Sequence, residues 1–564
     1  MKVLLVYPEI PPTYWGFQHA LRLAGKASSL PPHGLISVAA LLPAHWELRL
    51  VDANVRPLDD GDLGWADLVL VSGMQIQKHA LLDVVRRSRA AGRRVVVGGP
   101  AATVEPEAFA EADCVFRGEA EQRIETLVRA IESGAPLPAV LGPPEGRPAM
   151  AAVPVPRFDL LELGRYASVS IQFSRGCPHR CEFCDVIELF GRRPRVKSSE
   201  QVLDEMAVLY ARGYRGSVFV VDDNFIGHKP AARELLARLE GWQEGHGRPF
   251  DLYTEASLEL ASDPELVRAM VRAGFSCVFL GIETPSAQAL REAGKRQNLR
   301  TDLAQAVRRL TAAGLEVYGG FIVGFDSDDA SVFEQQWNFI SSLPMPLAMV
   351  GVLTAPPGTA LWQRLRREGR LRQGSTGDQF GRPNFVPRMD EGALLRGYRA
   401  LLARLYEPEA YFRRCERYLA EVGSARPGRG VRRREDLATL LRAMWHLGIV
   451  GRQRACFWRL LGRSLRRSPR LLPWAVASSI RGEHLIRYTR EDVLPRLDRA
   501  LAELGRAPAQ AEGMSSQCLP LGSESNALTR PRPGPTASFA SDPATNRPGG
   551  ASQRPSVETS QATM

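Results

Sequence analysis

The sequence predicts an α/β protein made of an open doubly wound sheet, a partial (β/α)6 barrel and a helical C-terminal region. Two stretches alternate apolar strand candidates with helical segments, and most of the strand candidates end in small or polar residues. Such alternation is typical of parallel sheets covered by helices. Beyond about residue 370 the strand rhythm stops, and Arg- and Trp-rich helical segments follow.

The first alternation occupies residues 1–145. Its strand candidates are KVLLVYP, WELRLVDAN, ADLVLVSGM and RRVVVGGP. They predict a Rossmann-like sheet, in which ligands bind beyond the carboxyl ends of the strands. The residues expected at those ends are Ser72, Gly73, Met74, Gln75, Gly98, Gly99, Pro100, Gly118 and Glu119.

A second alternation fills residues 165–370, after a Pro-rich connector. Its strand candidates are SVSIQFS, GSVFVVDD, FDLYTEAS, CVFLGIET, EVYGGFIVGF and AMVGVLTA. Six strand–helix units predict a partial, open TIM-like barrel, whose functional groups lie at the carboxyl ends of the strands. The polar residues expected there are Asp222, Glu255, Glu283 and Asp326.

The rest of the chain divides into a helical domain, 371–505, and a tail, 506–564. The tail is rich in Ser, Pro, Gly, Ala and Thr, so it is predicted to be disordered. No apolar run approaches the ~20 residues of a membrane span. The N-terminal MKVLLVYPEI is predicted to be a buried strand rather than a signal peptide, and a cytoplasmic protein is expected.

Three of the eight cysteines form one motif, Cys177-Pro-His-Arg-Cys181-Glu-Phe-Cys184. Three thiolates can hold a [4Fe–4S] cluster and leave its fourth iron open to another ligand. Zinc is the alternative, but a structural zinc site uses four protein ligands, and His179 is the local candidate for the fourth. The position of the motif, directly after the first barrel strand, favours the cluster.

With Phe183 before its last cysteine, this motif resembles that of the radical SAM superfamily. The segments SVFVVDDNFIG, YTEASLEL, FLGIETP and GGFIVGFDSD resemble a cobalamin-binding subfamily, the class B radical SAM methyltransferases. The resembled subfamily is related to the hopanoid A-ring methylase and shares its C-terminal domain of unknown function. The resemblance implies three cofactors: a [4Fe–4S] cluster, S-adenosylmethionine (SAM) and cobalamin.

The resemblance also implies roles for particular residues. The cluster ligands would be Cys177, Cys181 and Cys184. The residues near SAM would be Asp222, Asp223, Asn224, Glu255, Glu283 and the backbone from Ile322 to Gly324. The turns of the first sheet would wrap cobalamin. For Arg192, Arg193 and Arg195 two interpretations stay open: contacts with cofactor carboxylates, or a solvated run of charge.

Many cobalamin domains place a histidine below the cobalt in a D-x-H-x-x-G loop, and none of the nine histidines here has that context. The resemblance therefore implies cobalt without a protein histidine beneath it, approached instead by Met74, Gln75 and Ile76. His33 and His79 are expected to be surface or packing residues.

The implied reaction is methylation of an unactivated carbon of a small molecule, with an isoprenoid or lipid as one candidate substrate. A flavodoxin or ferredoxin would supply the electron. A rearrangement or cyclisation without methyl transfer is the alternative, because it needs the same cofactors. A cofactor-binding sensor without turnover is disfavoured by the polar strand ends.

The net charge of +11 comes from one segment, since residues 426–490 contain 16 arginines and only three acidic residues. Nucleic acid is not expected, because no recognition module accompanies the charge. Two interpretations stay open for 430–490: a salt-bridged helical bundle, or a surface that contacts membrane headgroups.

Overall fold

A computed structural model describes residues 1–142, 146–372, 374, 377–423 and 434–511. Residues 1–508 form one compact unit, and of the remainder only the end of the last helix, 509–511, is described. Most of the predicted disordered tail, residues 512–564, lies outside the described residues. The predicted domain boundaries remain predictions.

The N-terminal sheet has six parallel strands in the order β2-β1-β3-β4-β5-β6. Its central strands are continuous apolar runs, as expected of strands covered on both faces, and Val3 to Val6 are fully buried. The strands are β1 Lys2–Tyr7, β2 Glu47–Asp52, β3 Leu68–Ser72, β4 Arg94–Gly98, β5 Cys114–Phe116 and β6 Val140–Leu141. The helices are α1 Gln18–Ala24, α2 His33–Ala39, α3 Asp60–Trp65, α4 Lys78–Ala90, α5 Gly99–Val104 and α6 Ile124–Glu132.

The second sheet is an open barrel of six parallel strands in the order β7-β10-β11-β12-β13-β14. A two-stranded antiparallel pair, β8 with β9, is inserted after the first of these strands. The strands are β7 Ser168–Ile171, β8 Ser174–Arg175, β9 Arg195–Val196, β10 Ser217–Val220, β11 Asp251–Ala256, β12 Phe275–Glu283, β13 Glu316–Val323 and β14 Ala348–Val352. The helices are α7 Val186–Leu189, α8 Ser199–Ala211, α9 Lys229–Gly245, α10 Pro264–Arg272, α11 Ala287–Glu292, α12 Leu303–Ala312, α13 Val332–Ser341 and α14 Ala360–Arg367.

The described C-terminal region is helical. Two π-helical segments, Met444–Ile449 and Thr489–Val493, continue the helices that precede them. The α-helices are α15 Glu391–Leu405, α16 Pro408–Glu421, α17 Arg434–Ala443, α18 Arg454–Arg467, α19 Leu472–Tyr488 and α20 Leu494–Ala511. No helix within the described ranges is both long and apolar enough to cross a bilayer. The predicted fold class is confirmed in all three parts.

The loop that follows β1 is held by the C-terminal helices. The Tyr14 hydroxyl lies 2.6 Å from Thr489 Oγ1, and its ring packs edge-on against Tyr488. The Tyr488 hydroxyl donates to the carbonyl oxygen of Pro12 at 2.7 Å. These contacts attach the helical region to the carboxyl end of β1, where a doubly wound sheet binds its ligand.

His33, at the start of α2, lies at the junction between the two sheets. Its Nδ1 is 3.1 Å from the carbonyl oxygen of Ser170, and its Nε2 has no hydrogen-bond partner among the described residues. Loss of solvent around the ring, with a smaller effect of Lys197 and Arg175, lowers the pKa of His33 to about 3. The histidine is therefore neutral in the folded protein.

Because the unfolded chain binds a proton on His33 below about pH 6.5 and the folded chain does not, stability should fall as the pH drops through that value. We expect His33→Gln to reduce this loss by at most about 2 kcal/mol at pH 5, because each pH unit below the ordinary pKa of histidine costs ~1.4 kcal/mol. Urea unfolding at pH 5 and pH 7.5 measures it. His79→Gln, at an exposed histidine, is the control; an equal effect of both variants would contradict the prediction.

Candidate active site

The three-cysteine loop starts directly after β8, and Gly176 permits its first turn. Gly176 has φ +94°, and a Cβ there would lie 2.7 Å from the carbonyl oxygen of Gly191. The Cys177 amide donates to the same carbonyl at 3.2 Å. A side chain at position 176 would therefore both strain the backbone and displace the segment that closes the loop.

Two side-chain amides point towards sulfur atoms of the loop. Asn224 Nδ2 lies 3.8 Å from Cys177 Sγ, and Gln297 Nε2 lies 3.6 Å from Cys181 Sγ. Burial raises the pKa of the Cys177 and Cys184 thiols, whereas a coordinating metal ionises a thiol. Three thiols on one short loop, each able to bind a separate iron, fit a [4Fe–4S] cluster.

Zinc, the alternative raised by the sequence, draws all its ligands to about 2.0–2.3 Å from one ion. Within the described part of the chain, no three or more His, Cys, Asp or Glu side chains are grouped for a single ion. His179 Nε2 instead lies 3.5 Å from Glu259 Oε2.

Asp222 and Asp223, which follow β10, have different roles in the site. Asp222 is buried and accepts from the amides of Phe173 and Ser174 at 2.8 and 2.9 Å and from the Ser174 hydroxyl at 2.7 Å. Its oxygens thus hold the start of the cysteine loop. Asp223 accepts from the Gly176 amide at 3.2 Å, and burial raises the pKa of Asp223 to about 7.

Glu255, at the end of β11, is enclosed beside Asp223. Burial, with a smaller contribution from the neighbouring Asp223, raises the pKa of Glu255 to about 8. Two carboxyl groups in one enclosed site disfavour each other's ionised forms. A cationic ligand placed between them would relieve that repulsion.

Glu283, at the end of β12, has φ +66°, which is rare for a residue with a long side chain. The pairing register between β12 and β13 shifts between Gly281 and Glu283. The Glu283 carboxylate forms a buried ion pair with Lys295. Backbone strain of this kind concentrates at functional sites, where the surrounding structure maintains it.

The backbone from Ile322 to Gly324, which is predicted to contact the adenine of SAM, already forms hydrogen bonds within the protein. The Ile322 carbonyl accepts from Gln336 Nε2 at 3.2 Å, and the Gly324 amide donates to Asp328 Oδ2 at 2.8 Å. Asp326, also expected at the barrel mouth, is paired with Arg364 and Arg370 at 2.7 and 2.6 Å.

An ion-pair network connects the N-terminal sheet with the cysteine loop. Glu119, in the turn after β5, pairs with Arg175 and Arg195 at 2.7 Å each, and Glu121 pairs with Arg175 at 2.8 Å. Arg175 and Arg195 face each other across the β8–β9 pair that brackets the loop. Of the three arginines considered from the sequence, Arg195 is thus engaged, whereas Arg192 and Arg193 are exposed.

A cavity of about 2380 Å³ lies between the two sheets and continues into the barrel. Pockets for one small ligand usually measure ~300–1,000 Å³, so this cavity has room for more than one. All nine residues predicted to contact cobalamin line it, and so do Asp222, Asp223 and Glu255. Within the described ranges, its lining does not include Asn224, Glu283, Ile322, Gly324 or the three cysteines.

The part of the cavity lined by the residues predicted to contact cobalamin, here called the cobalamin-side wall, brings two glycine-containing turns close together. Gly99 has φ +86°, and a Cβ there would collide with the Ser72 hydroxyl. Met74 is 54% exposed and lines the cavity. His33 also lines the cavity, while His79 is exposed on the surface. Met74 is therefore accessible to a ligand bound against this wall.

The barrel interior is lined by aromatic side chains that do not fill it. Phe219, Tyr253, Phe279 and Tyr318 point inward from four adjacent strands and are only half-buried. The Phe219 and Tyr253 rings stack with centroids 4.8 Å apart, and Trp15 packs edge-on against Phe279 at 5.1 Å. A mostly apolar compartment therefore adjoins Asp223 and Glu255.

Several residues of the site were not predicted from the sequence. Lys295, Gln297 and Asn298 come from one segment, KRQN, and Asn298 Oδ1 is buried without a partner among the described residues. The run of charged and amide side chains at 295–298, shortly after a strand end, is a sequence feature from which these site residues could have been predicted. Arg175 had no local signal, because its acidic partners, Glu119 and Glu121, are more than 50 residues away.

Three family models match the chain. They are the B12 binding domain over residues 23–128, the Radical SAM superfamily over 171–335, and a domain of unknown function, DUF4070, over 359–494.

Relatives match over nearly their whole length. An uncharacterized methyltransferase of Synechocystis sp. is 39% identical, with 89% of this chain and 94% of the relative covered. The hopanoid C-2 methylase of Rhodopseudomonas palustris is 35% identical, with 87% and 94% covered. The solved structure of OxsB, a cobalamin-dependent SAM radical enzyme with aqua-cobalamin bound, shares the fold, with a TM-score of 0.55, 15% identity, and 90% and 84% covered.

The Glu119 network should matter for stability because its charges are largely buried. Side-chain exposure is 6% for Glu119 and 10% for Arg175. Removing one partner of a buried ion pair typically costs ~3–5 kcal/mol, so we expect Glu119→Gln to lower the free energy of unfolding by about 3 kcal/mol. Urea unfolding measures the change.

The control for Glu119→Gln is Asp159→Asn, which breaks an ion pair with Arg157 whose side chains are 40% and 33% exposed. That loss should stay below ~1 kcal/mol. Similar small losses for both variants would show that the Glu119 network does not hold the two sheets together.

Proposed function

This chain belongs to the cobalamin-binding radical SAM methyltransferase family, and from that premise we propose that it methylates an unactivated carbon of an apolar small molecule. The observation that carries the proposal is the continuity of one cavity. It joins the cobalamin-side wall to Asp223 and Glu255 beside the cysteine loop, and then enters the aromatic barrel interior.

When bound, the [4Fe–4S] cluster, SAM and cobalamin supply a carbon radical and a methyl group. The residues of the chain bind these groups, orient them and exclude water. We assign Cys177, Cys181 and Cys184 to the cluster. Asp222 is a positioning residue, because hydrogen bonds from Phe173 and Ser174 occupy its carboxylate.

The methionyl ammonium group of SAM carries a positive charge, and Asp223 and Glu255 form the enclosed acidic site that suits it. Glu283 and Lys295 lie at the next strand end and place one negative and one positive group there. An amino acid moiety has one charge of each sign, so this pair has the chemistry to orient it.

The aromatic compartment supports the proposed class of substrate. Its walls, Phe219, Tyr253, Phe279 and Tyr318, offer ring faces and two phenol hydroxyls rather than fixed charges. Such a wall favours a rigid apolar molecule with few hydrogen-bonding groups. An isoprenoid or another lipid meets that description.

The electron would come from a flavodoxin or ferredoxin. Arg180, Arg192 and Arg193 are exposed on and beside the cysteine loop. Exposed positive charge next to a buried redox site favours docking of an acidic electron carrier.

The central experiment compares cysteine variants after anaerobic reconstitution with iron, sulfide and cobalamin. The unmodified protein should hold about four irons per chain and one corrinoid, and form 5′-deoxyadenosine when reduced. Cys184→Ala should lose the iron and 5′-deoxyadenosine formation. Cys114→Ala, at a buried cysteine in β5, should retain both.

Retained 5′-deoxyadenosine formation in Cys184→Ala would refute the assignment of the cluster. With substrate present, S-adenosylhomocysteine should accumulate together with 5′-deoxyadenosine. Formation of 5′-deoxyadenosine alone would instead indicate a rearrangement or cyclisation.

The Glu283–Lys295 pair is tested by removing both charges together, because one charge left alone would be buried without a partner. We expect Glu283→Gln with Lys295→Met to weaken SAM binding about tenfold or more, since charge-assisted hydrogen bonds contribute ~1.5–3 kcal/mol. Equilibrium dialysis of the reconstituted protein measures it. Glu265→Gln, at an exposed carboxylate, is the control; unchanged affinity in the double variant would contradict the assignment.

A further inference from the structure

The basic C-terminal segment exposes a continuous set of large apolar side chains. Spaced mostly by four residues along α17 and the π-helical segment, they lie on one face of the helix. They are joined by one side chain from α18. This apolar stripe consists of Leu437, Leu441, Trp445, Ile449, Val450 and Trp458, which are between 45% and 61% exposed.

Trp458 connects the two helices that form the apolar stripe. Its Nε1 donates to the carbonyl oxygen of Gly448 at 2.9 Å. A Cβ at Gly448 would lie 3.0 Å from the indole ring, so the glycine lets the ring pack closely against the π-helical segment. The apolar stripe is therefore a single surface formed by packed elements.

The arginines of α18 and its flanks fall into two groups. Arg459 and Arg463 face α16 and pair with Glu416 at 2.6 and 2.7 Å. The second group is exposed, and none of its members forms an ion pair with any residue that the structure describes. This exposed group consists of Arg452, Arg454, Arg466, Arg467 and Arg470.

The two interpretations that the sequence left open thus apply to different arginines. Arg459 and Arg463 belong to a salt-bridged bundle. The exposed group places positive charge on α18 and its flanks, the element that also carries Trp458 of the apolar stripe. Large aromatic and aliphatic side chains beside arginines are the composition of helices that lie in the interface of an anionic bilayer.

The cavity opens beside the apolar stripe. Leu437 and Arg470 are exposed and also line the cavity. Between them and the aromatic compartment, the lining includes Ser217 and Asp251, at the amino ends of β10 and β11. A path therefore runs from the carboxyl ends of the barrel strands, through the barrel, to this mouth.

We propose that the apolar stripe docks on an anionic lipid bilayer, and that the mouth bordered by Leu437 and Arg470 takes the apolar substrate directly from it. Docking would place the mouth at the depth where a lipid-dissolved molecule resides, so the molecule would not have to cross water. Uptake of the substrate from the bilayer rests on the proposed function, whereas docking rests on the exposed surface alone.

Flotation of the reconstituted protein with vesicles tests the docking. Binding is expected to phosphatidylcholine vesicles containing phosphatidylglycerol, and it should weaken as salt is added. Leu441→Glu with Trp445→Glu should weaken binding at least about tenfold. Replacing Arg454, Arg466 and Arg470 by Gln should cost about fivefold per charge on anionic vesicles and little on neutral ones.

The control is Val140→Glu, at a side chain 46% exposed in the N-terminal sheet, which should bind as the unmodified protein does. Protein that stays with neither kind of vesicle would overturn the proposal, and so would full binding by the Leu441→Glu, Trp445→Glu variant. A concentration-dependent dimer that this variant abolishes, without vesicle binding, would assign the apolar stripe to a second copy of the chain and overturn it as well.

SAM cleavage without lipid separates this proposal from the proposed function. The Leu441→Glu, Trp445→Glu variant should form 5′-deoxyadenosine at the unmodified rate in detergent-free buffer, because both side chains are exposed and lie outside the cavity lining that the described residues form. Vesicle binding without any SAM cleavage would refute the proposed function and leave the docking surface intact.

Discussion

The arrangement of the two sheets depends on how the charge of Arg175 is neutralised. A guanidinium that is mostly buried costs several kcal/mol unless carboxylates accompany it. Glu119 and Glu121 provide two, both from the turn after β5, and Gln172 accepts from its Nε at 2.9 Å. Because Arg175 directly precedes the cysteine loop, this pairing sets the position of the cobalamin-side turn relative to the cluster side.

Within the barrel, neighbouring polar residues serve different purposes. Asp222 and Asp223 follow β10 in an irregular segment, where their carboxyl groups make different contacts. The carboxylate of Asp222 is saturated by the loop that it holds, whereas Asp223 stays enclosed beside Glu255. The acidic site thus has a fixed frame, and the carboxyl groups of Asp223 and Glu255 remain available to a ligand in the cavity.

The local pattern of the sequence was enough to predict the long strands, because continuous apolar runs bounded by glycine or polar residues identify buried parallel strands. The same pattern did not identify β5, β6, β8 and β9, because strands of two or three residues are too short to show a recognisable apolar run. Side chains on strand ends were predictable for the same reason as the strands.

Contacts between distant segments were not predictable. Arg175 and Glu119 are 56 residues apart, and nothing near either residue indicates the other. The enclosure of the cavity depends in the same way on contacts between the ends of the chain, such as Tyr14 with Thr489. A single sequence shows which residue types are available for such contacts, but it does not show which residues will pair.

The open barrel links this architecture to the kind of ligand that it can take. A closed eight-stranded barrel fills its interior with layers of its own side chains. Here β7 and β14 form the two edges of the sheet, and Phe219, Tyr253 and Tyr318 line the interior without meeting in the middle. The rings therefore present apolar faces that a close-packed core would cover with side chains. A rigid apolar ligand seated against them would make the corresponding dispersion contacts, and these would contribute to the free energy of binding.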